Sequence, residues 1–310
     1  MKLSHIAAPA TRGQHLFQRI ITMKTPRVSF EFFPPKSLEA SFRLWDTVHA
    51  LAPLEPRFVS VTYGAGGTTR ELTRDAVGTL HASTELNVAA HLTCVEASRE
   101  ETLAVADSFA RAGVSEIVAL RGDPPKGSDR FEPHADGFAN SCELIEALAD
   151  TGKFTIRVGA YPEKHPEATS RKADIDWLKR KIDAGAAEAI TQFFFDPETF
   201  FRFRDDCAKA GIDAPIIPGI LPIEDWSGVR RFATACGTSI PAWLDEAFDK
   251  AVRDGRHDLL AIAVATELCS DLIEGGVEDL HFYTLNKPDL TREICHALGV
   301  TPRVQLQNVA

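Results

Sequence analysis

The sequence has no CxxC pair among its 6 cysteines, no GxGxxG or P-loop glycine motif, and no uninterrupted apolar run near the length of about 18 residues that a membrane span needs. Each absence removes a class. Unpaired, irregularly spaced cysteines exclude a zinc site or a disulfide framework. Cys94, Cys142, Cys207, Cys236, Cys269 and Cys295 read instead as small core residues in a reducing cytoplasm. No basic stripe accompanies the formal net charge of −10, so neither a nucleic acid nor a membrane is an expected partner. The charge is unevenly spread: Lys2, Arg12, Arg19, Lys24 and Arg27 all precede the first acidic residue, Glu31. A basic, acid-free start can belong to an organelle-targeting segment. Here it lacks the apolar core of a secretory signal, and residues 1–26 read as a loose tail.

What is present is a rhythm. Short β-rich runs at 27–33, 58–63, 88–94, 116–121, 155–161, 189–195, 215–221 and 280–285 alternate with longer helical patterns. Several runs are apolar almost throughout, as parallel strands covered on both faces are. Residues 38–52 carry Leu38, Phe42, Trp45, Val48 and Leu51 on one helical face, and residues 99–112 carry Leu103, Ala106, Phe109 and Ala110. Ser98 and Asp196 mark helix starts; Gly113, Gly152, Gly185 and Gly211 mark helix ends. Eight strands linked by helices specify an α/β fold, a single-domain (β/α)8 TIM barrel over residues 27–300, followed by a short tail at 301–310. About 60 residues between the last two strands form an elaborated loop with room for about three helices. The rival is a doubly wound open sheet. It would place a nucleotide-binding glycine turn after strand one, where Pro34 and Pro35 stand.

In a barrel, function sits at the C-terminal strand ends. Strand one holds Glu31 on the face opposite Phe30 and Phe32. A carboxyl buried among aromatics is expected to have a raised pKa, which suits a general acid; a salt bridge to a barrel-lining arginine is the equal alternative. Strand two runs into Thr62-Tyr63-Gly64-Ala65-Gly66-Gly67-Thr68-Thr69, an anion cradle or simply a tight turn. His91 on strand three reads as a hydrogen-bonded core residue or a ligand. Arg121-Gly122-Asp123 ends strand four, as a site or a local ion pair. Near Tyr161, His165 stands between Glu163 and Glu167 with no second histidine close by, so no metal is expected. The following helix carries Arg171, Lys172, Lys179, Arg180 and Lys181, either a phosphate-holding cluster or a solvated face. Gln192 precedes Phe193, Phe194 and Phe195; its amide suits the edge of a flat heterocycle, and the aromatics suit stacking or a core.

These segments together resemble the bacterial 5,10-methylenetetrahydrofolate reductase family. The matching stretches are Phe30–Pro35, Val59–Ala65, Ala90–Cys94, Ala119–Asp123, Ala160–Ala168, Lys179–Ala186, Ala189–Asp196, Ile216–Pro222 and His281–Asn286. The extent of the match resembles the short bacterial form, without a regulatory domain. The resemblance implies a cytoplasmic, homo-oligomeric flavoenzyme with bound FAD. It takes electrons from NAD(P)H and reduces methylenetetrahydrofolate to 5-methyltetrahydrofolate, a step toward methionine. It also implies roles: Glu31 as general acid; Asp123 beside flavin and pterin; Gln192, Phe232 and Lys287 on the folate. The FAD positions would be Thr62, His91, Arg121, Gly122, Asp123, Ala135, Tyr161, His165, Ala168, Asp174, Trp177, Arg180 and Lys181. Trp177, His134 and Gly228 depart from the family pattern. A barrel flavoenzyme of the proline dehydrogenase kind and a non-redox pterin-binding barrel are the rival functions.

Overall fold

The computed structural model describes residues 24–64, 69–124, 127 and 130–302. The expected tails at 1–26 and 301–310 lie almost entirely outside these residues, as do Ala65–Thr68 of the glycine loop. The strands are β1 (Arg27–Phe32), β2 (Val59–Val61), β3 (Val88–Thr93), β4 (Glu116–Leu120), β5 (Thr155–Ala160), β6 (Glu188–Thr191), β7 (Ile216–Ile217), β8 (Gly219–Ile220) and β9 (Asp279–Tyr283). All neighbours pair in parallel, in the order β7-β6-β5-β4-β3-β2-β1-β9-β8. The expected seventh strand is thus two pieces. Pro218 between them has no N–H to give a ladder. Ile216–Ile217 pairs with β6, and Gly219–Ile220 pairs with β9, so the broken strand closes the barrel.

The helices are α1 (Leu38–Leu51), α2 (Arg70–Ser83), α3 (Arg99–Arg111), α4 (Ser141–Asp150), α5 (Arg171–Asp183), α6 (Pro197–Lys209), α7 (Trp226–Cys236), α8 (Ala242–Arg253), α9 (His257–Glu274) and α10 (Pro288–Ala297). Starts follow the sequence signals. Ser98 caps α3 in a reciprocal box with Glu101, and Asp196 accepts from the Glu198 N–H at 3.1 Å. The elaborated loop before the last strand holds α7, α8 and α9, as expected.

Strand parity sorts the side chains. Phe30, Phe32, Val59 and Val61 point outward and pack with Leu44, Val48 and Leu51 of α1 and with Ile294 of α10. Each such buried side chain contributes roughly 1.5–3 kcal/mol. The inward side chains Phe58, Ala89, Val118, Ile190 and Ile217 plug the lumen. One expectation fails: Leu38 and Phe42 are 74% and 62% exposed. The sheet reaches only the later turns of α1, where Leu44, Thr47, Val48 and Leu51 form the buried face.

Candidate active site

Above the lumen plug, the C-terminal strand ends open into a cavity of about 770 Å³. Val118, Leu120, Ala160 and Ile190 form an apolar base, and Glu31, Thr62, His91, Asp123, Tyr161 and Gln192 supply polar groups. Strands widely separated in sequence thus bring these six expected site residues to one chamber.

Glu31 enters because its neighbours Phe30 and Phe32 take the helix side of β1. Its Oε2 lies 3.3 Å from His91 Nε2 and 3.9 Å from His281 Nε2. His281 is held from behind: Nδ1 is 2.8 Å from Ser29 Oγ, and the ring stacks on Phe58 at 5.5 Å. Burial pushes the Glu31 pKa up, but His281 and His91 together outweigh it and hold the carboxyl down to about 2. The expected raised pKa is therefore wrong for this protein, because two imidazoles from β3 and β9 counter the desolvation. The arginine alternative also fails. Arg157 does line the lumen, but it pairs with Glu116 and with Glu188, at 2.8 Å to the latter.

The strand-four end is split between two tasks. Asp123 is exposed and lines the cavity. Arg121 turns away and forms a two-point pair with Glu167 at 2.6 and 2.9 Å, so the alternative of a local ion pair within the strand-four end gives way to a tie to the strand-five loop. Gly122 between them has φ +90°, and a Cβ there would sit 2.9 Å from Val95, so glycine is required. Burial and the Asp123 charge push the Tyr161 phenol up to about 12.

A second wall adjoins the cavity through Tyr161. The edge of its ring meets His165 at 4.5 Å, the His165 N–H donates to Asp174 at 2.8 Å, and Lys164 Nζ donates to the Ala168 carbonyl at 2.7 Å. Burial lowers the His165 and Lys181 pKa values. Lys181 turns inward and donates to the Gly159 carbonyl at 2.9 Å, whereas Arg180 lies on the Trp177 ring at 4.4 Å. Lys172 and Lys179 pair with Asp176 and Asp183 one turn away, so only part of the basic helix is a solvated face.

Arg121, Gly122 and the side chains of this second wall other than Tyr161 do not line the chamber itself, and Ala135, Lys287 and Phe232 also stand apart from it. Ala135 sits in an exposed turn, Lys287 is exposed 3.9 Å from Glu224, and Phe232 is 46% exposed and stacked on Phe193 at 5.2 Å. Conversely, the chamber includes Lys36, Ser37, Arg43, Tyr283 and Asn286, which sequence reasoning did not single out. For Tyr283, and for His281 beneath it, a signal was present: they alternate with Leu280 and Phe282, as Glu31 alternates with Phe30 and Phe32. Among the described residues, no cluster of His, Cys, Asp or Glu is arranged to hold a metal, and no helix is long and apolar enough to cross a membrane.

Comparison with known proteins gives a consistent picture. A family model described as methylenetetrahydrofolate reductase matches residues 16–299. The chain is 44% identical over 278 residues to a 5,10-methylenetetrahydrofolate reductase of Pectobacterium carotovorum subsp. carotovorum, covering 89% of this chain and 91% of that protein. It is 45% identical over 276 residues to that of Escherichia coli (strain K12), with coverage of 89% and 91%. A solved structure from Clostridium thermocellum, described as an uncharacterized protein that binds two copies of 5-methyl-5,6,7,8-tetrahydrofolic acid, aligns with a TM-score of 0.57. At 17% identity, covering 92% of this chain and 98% of that one, it shares the fold.

Proposed function

Because the chain belongs to the methylenetetrahydrofolate reductase family, we propose that the chamber at its barrel mouth reduces 5,10-methylenetetrahydrofolate to 5-methyltetrahydrofolate. NAD(P)H is the electron source and FAD the bound relay. The observation that carries this reading is a carboxyl, Glu31, lining a large cavity with an apolar base, together with an amide and a second carboxylate.

The residues suit a flavin. The base of Val118, Leu120, Ala160 and Ile190 offers an apolar seat for a flat ring, and Thr62, His91, Asp123 and Tyr161 surround it. Lys181 spends one N–H on Gly159 and keeps others for a ligand; with Arg180 it would hold a pyrophosphate. Arg121, Gly122, Ala135, His165, Ala168, Asp174 and Trp177 complete the expected FAD set. When bound, the flavin supplies two-electron transfer between the nicotinamide and the folate.

The protein's own residues supply the proton and the orientation. Gln192 Oε1 accepts from the Phe193 N–H at 3.0 Å, which leaves its NH2 to donate to a pterin edge. N10 of the folate is a poor leaving group unless protonated. At neutral pH Glu31 in the open cavity is a carboxylate. To serve as the acid, Glu31 takes up a proton from solvent as the pterin seats over it; the pterin then displaces water and adds to the desolvation that opposes ionisation, and the protonated carboxyl faces N10. Asp123 keeps its negative charge nearby and supports the cationic iminium that ring opening produces. Phe232 packs on the bound ligand, and Lys287 meets the acidic tail of the folate. Residues 27–300 act as one catalytic unit in a cytoplasmic homo-oligomer.

Acid release and chromatography of purified protein, with anaerobic titration by NADH, test the cofactor assignment. FAD that bleaches with NADH is the expected result. FMN alone would mean that Arg180 and Lys181 are misread. A flavin reduced by proline and not by NADH, or a folded protein without flavin absorbance, would favour the two rival functions in turn.

A further inference from the structure

Glu31 has a partner arrangement that the general-acid reading does not use. His281 is completely buried, and among the described residues its Nε2 has no hydrogen-bond partner of good geometry. On that side Glu31 Oε2 lies 3.9 Å away, beyond an ordinary hydrogen bond of about 2.9 Å. On the other side, Nδ1 meets Ser29 Oγ at 2.8 Å, and the ring is clamped between Phe58, stacked at 5.5 Å, and Tyr283, edge-on at 5.4 Å. Ser29 and His281 are register partners on β1 and β9, two residues before Glu31 and Tyr283, so strand pairing itself builds the row Ser29, His281, Glu31.

An orphaned ring nitrogen in the centre of a barrel, aimed at a carboxylate, is costly unless it serves that carboxylate. We propose that His281, fixed by Ser29, is a positioning residue that presents its Nε2–H to Glu31 and sets how readily that carboxyl gives up its proton. This rests on the reading of Glu31 as the acid of the folate step. The Ser29 hydroxyl has two acceptors in reach, His281 Nδ1 and the Leu280 carbonyl at 3.3 Å. When it donates to Nδ1, the ring carries its proton on Nε2 and matches an ionised Glu31. When it donates to Leu280, Nδ1–H can donate to Ser29 and the bare Nε2 can accept from a neutral Glu31. The pair therefore suits both states that an acid passes through. The other charged or titratable groups facing it are His91 from β3, Arg157 from β5 and Tyr283 from β9. Burial, with smaller contributions from His91 and Arg157, outweighs the pull of Glu31 and lowers the His281 pKa, so the ring acts as a neutral donor.

The test is NMR on the flavin-loaded protein. With ¹⁵N-labelled histidine, His281 of the unaltered protein is expected as the Nε2–H tautomer at neutral pH; the Nδ1–H tautomer there overturns the proposal. With ¹³C-labelled glutamate, His281→Phe, which keeps the ring stack and removes the donor, is expected to move the Glu31 titration upward by about one pH unit or more. His281→Gln, which restores an N–H, should return part of that shift, and Ser29→Ala should give a smaller shift in the same direction. An unmoved Glu31 titration in His281→Phe, with only a loss of thermal stability, would make His281 a packing residue and overturn the inference. If the titration moves and the pH profile of folate reduction moves with it, both readings stand. If the titration moves and the profile does not, His281 still governs Glu31, and the acid assignment of Glu31 is the part that fails.

Discussion

The two ends of the barrel lumen use the same residue types in opposite ways. At the N-terminal end, Arg157 pairs with Glu116 and Glu188, Arg57 joins Glu188 and Asp279, and Asn87 donates to Glu116. Arg157 also lies over the Phe58 ring at 3.8 Å. Charge there is closed upon itself. At the C-terminal mouth, Asp123 forms no comparable pair among the described residues, Glu31 faces imidazoles whose Nε2 atoms lack good hydrogen bonds among them, and Gln192 has donors to spare. A paired charge holds strands together. A polar group left with capacity can engage a substrate. Only the mouth has the room and the spare valence for chemistry, which is the functional asymmetry expected of this architecture.

That contrast can be broken by substitution. The largest effect is expected at the mouth. Glu31→Gln keeps the shape and offers no acidic proton, so reoxidation of the reduced flavin by methylenetetrahydrofolate should fall by about 10²–10⁴-fold, while reduction by NADH stays near normal. Stopped-flow measurement of the two half-reactions checks this; equal slowing of both would make Glu31 a structural residue. At the floor, Arg157→Met removes the buried cation shared by two carboxylates and leaves Glu116 to Asn87 and Glu188 to Arg57. Denaturant unfolding should show a loss of about 3–5 kcal/mol. Selective loss of the folate half-reaction in a stable Arg157→Met protein would contradict the division between floor and mouth.

Smaller effects sharpen it. Asp123→Asn removes an anion beside the proposed flavin and should raise its potential by tens of millivolts, roughly 1–3 kcal/mol for a two-electron couple, while slowing folate reduction. A redox titration that finds no change would take Asp123 out of the site. The smallest expected effect is pH-dependent. Burial lowers the His165 pKa below its ordinary 6.5, so the unfolded chain takes up that proton first as pH falls. The contribution is full above about pH 6.5 and is lost as pH drops through the folded value. His165→Gln should therefore flatten the decline of thermal stability just below pH 6.5; an unaltered slope would show that another group governs it.

Much of this was legible from pattern alone. Strands such as VAAHLTC and TIRVGAY, apolar on both faces, declare a parallel barrel, and alternation puts Glu31 inside it. What sequence could not supply was company. The direction of the Glu31 pKa depends on His91 and on His281, which the chain brings back from β9, and no local pattern ties them to strand one. Arg121 found Glu167 rather than nearby Asp123 for the same reason: pairing is decided across loops. Leu38 and Phe42 obey the helical period of α1, yet the sheet lies beneath only its later turns, so periodicity overstated the buried face. The run at 215–221 read as one strand; that it breaks at Pro218 and that its two halves close the barrel emerges only from the register.

The most direct test of the account is a single anaerobic experiment on the unaltered protein. It is reduced with one equivalent of NADH, mixed with 5,10-methylenetetrahydrofolate, and its flavin absorbance and folate product are followed together. The account predicts full return of the oxidised flavin spectrum with stoichiometric 5-methyltetrahydrofolate. A reduced flavin that persists in the presence of the folate, or one that is reoxidised without a methyl product, would contradict it.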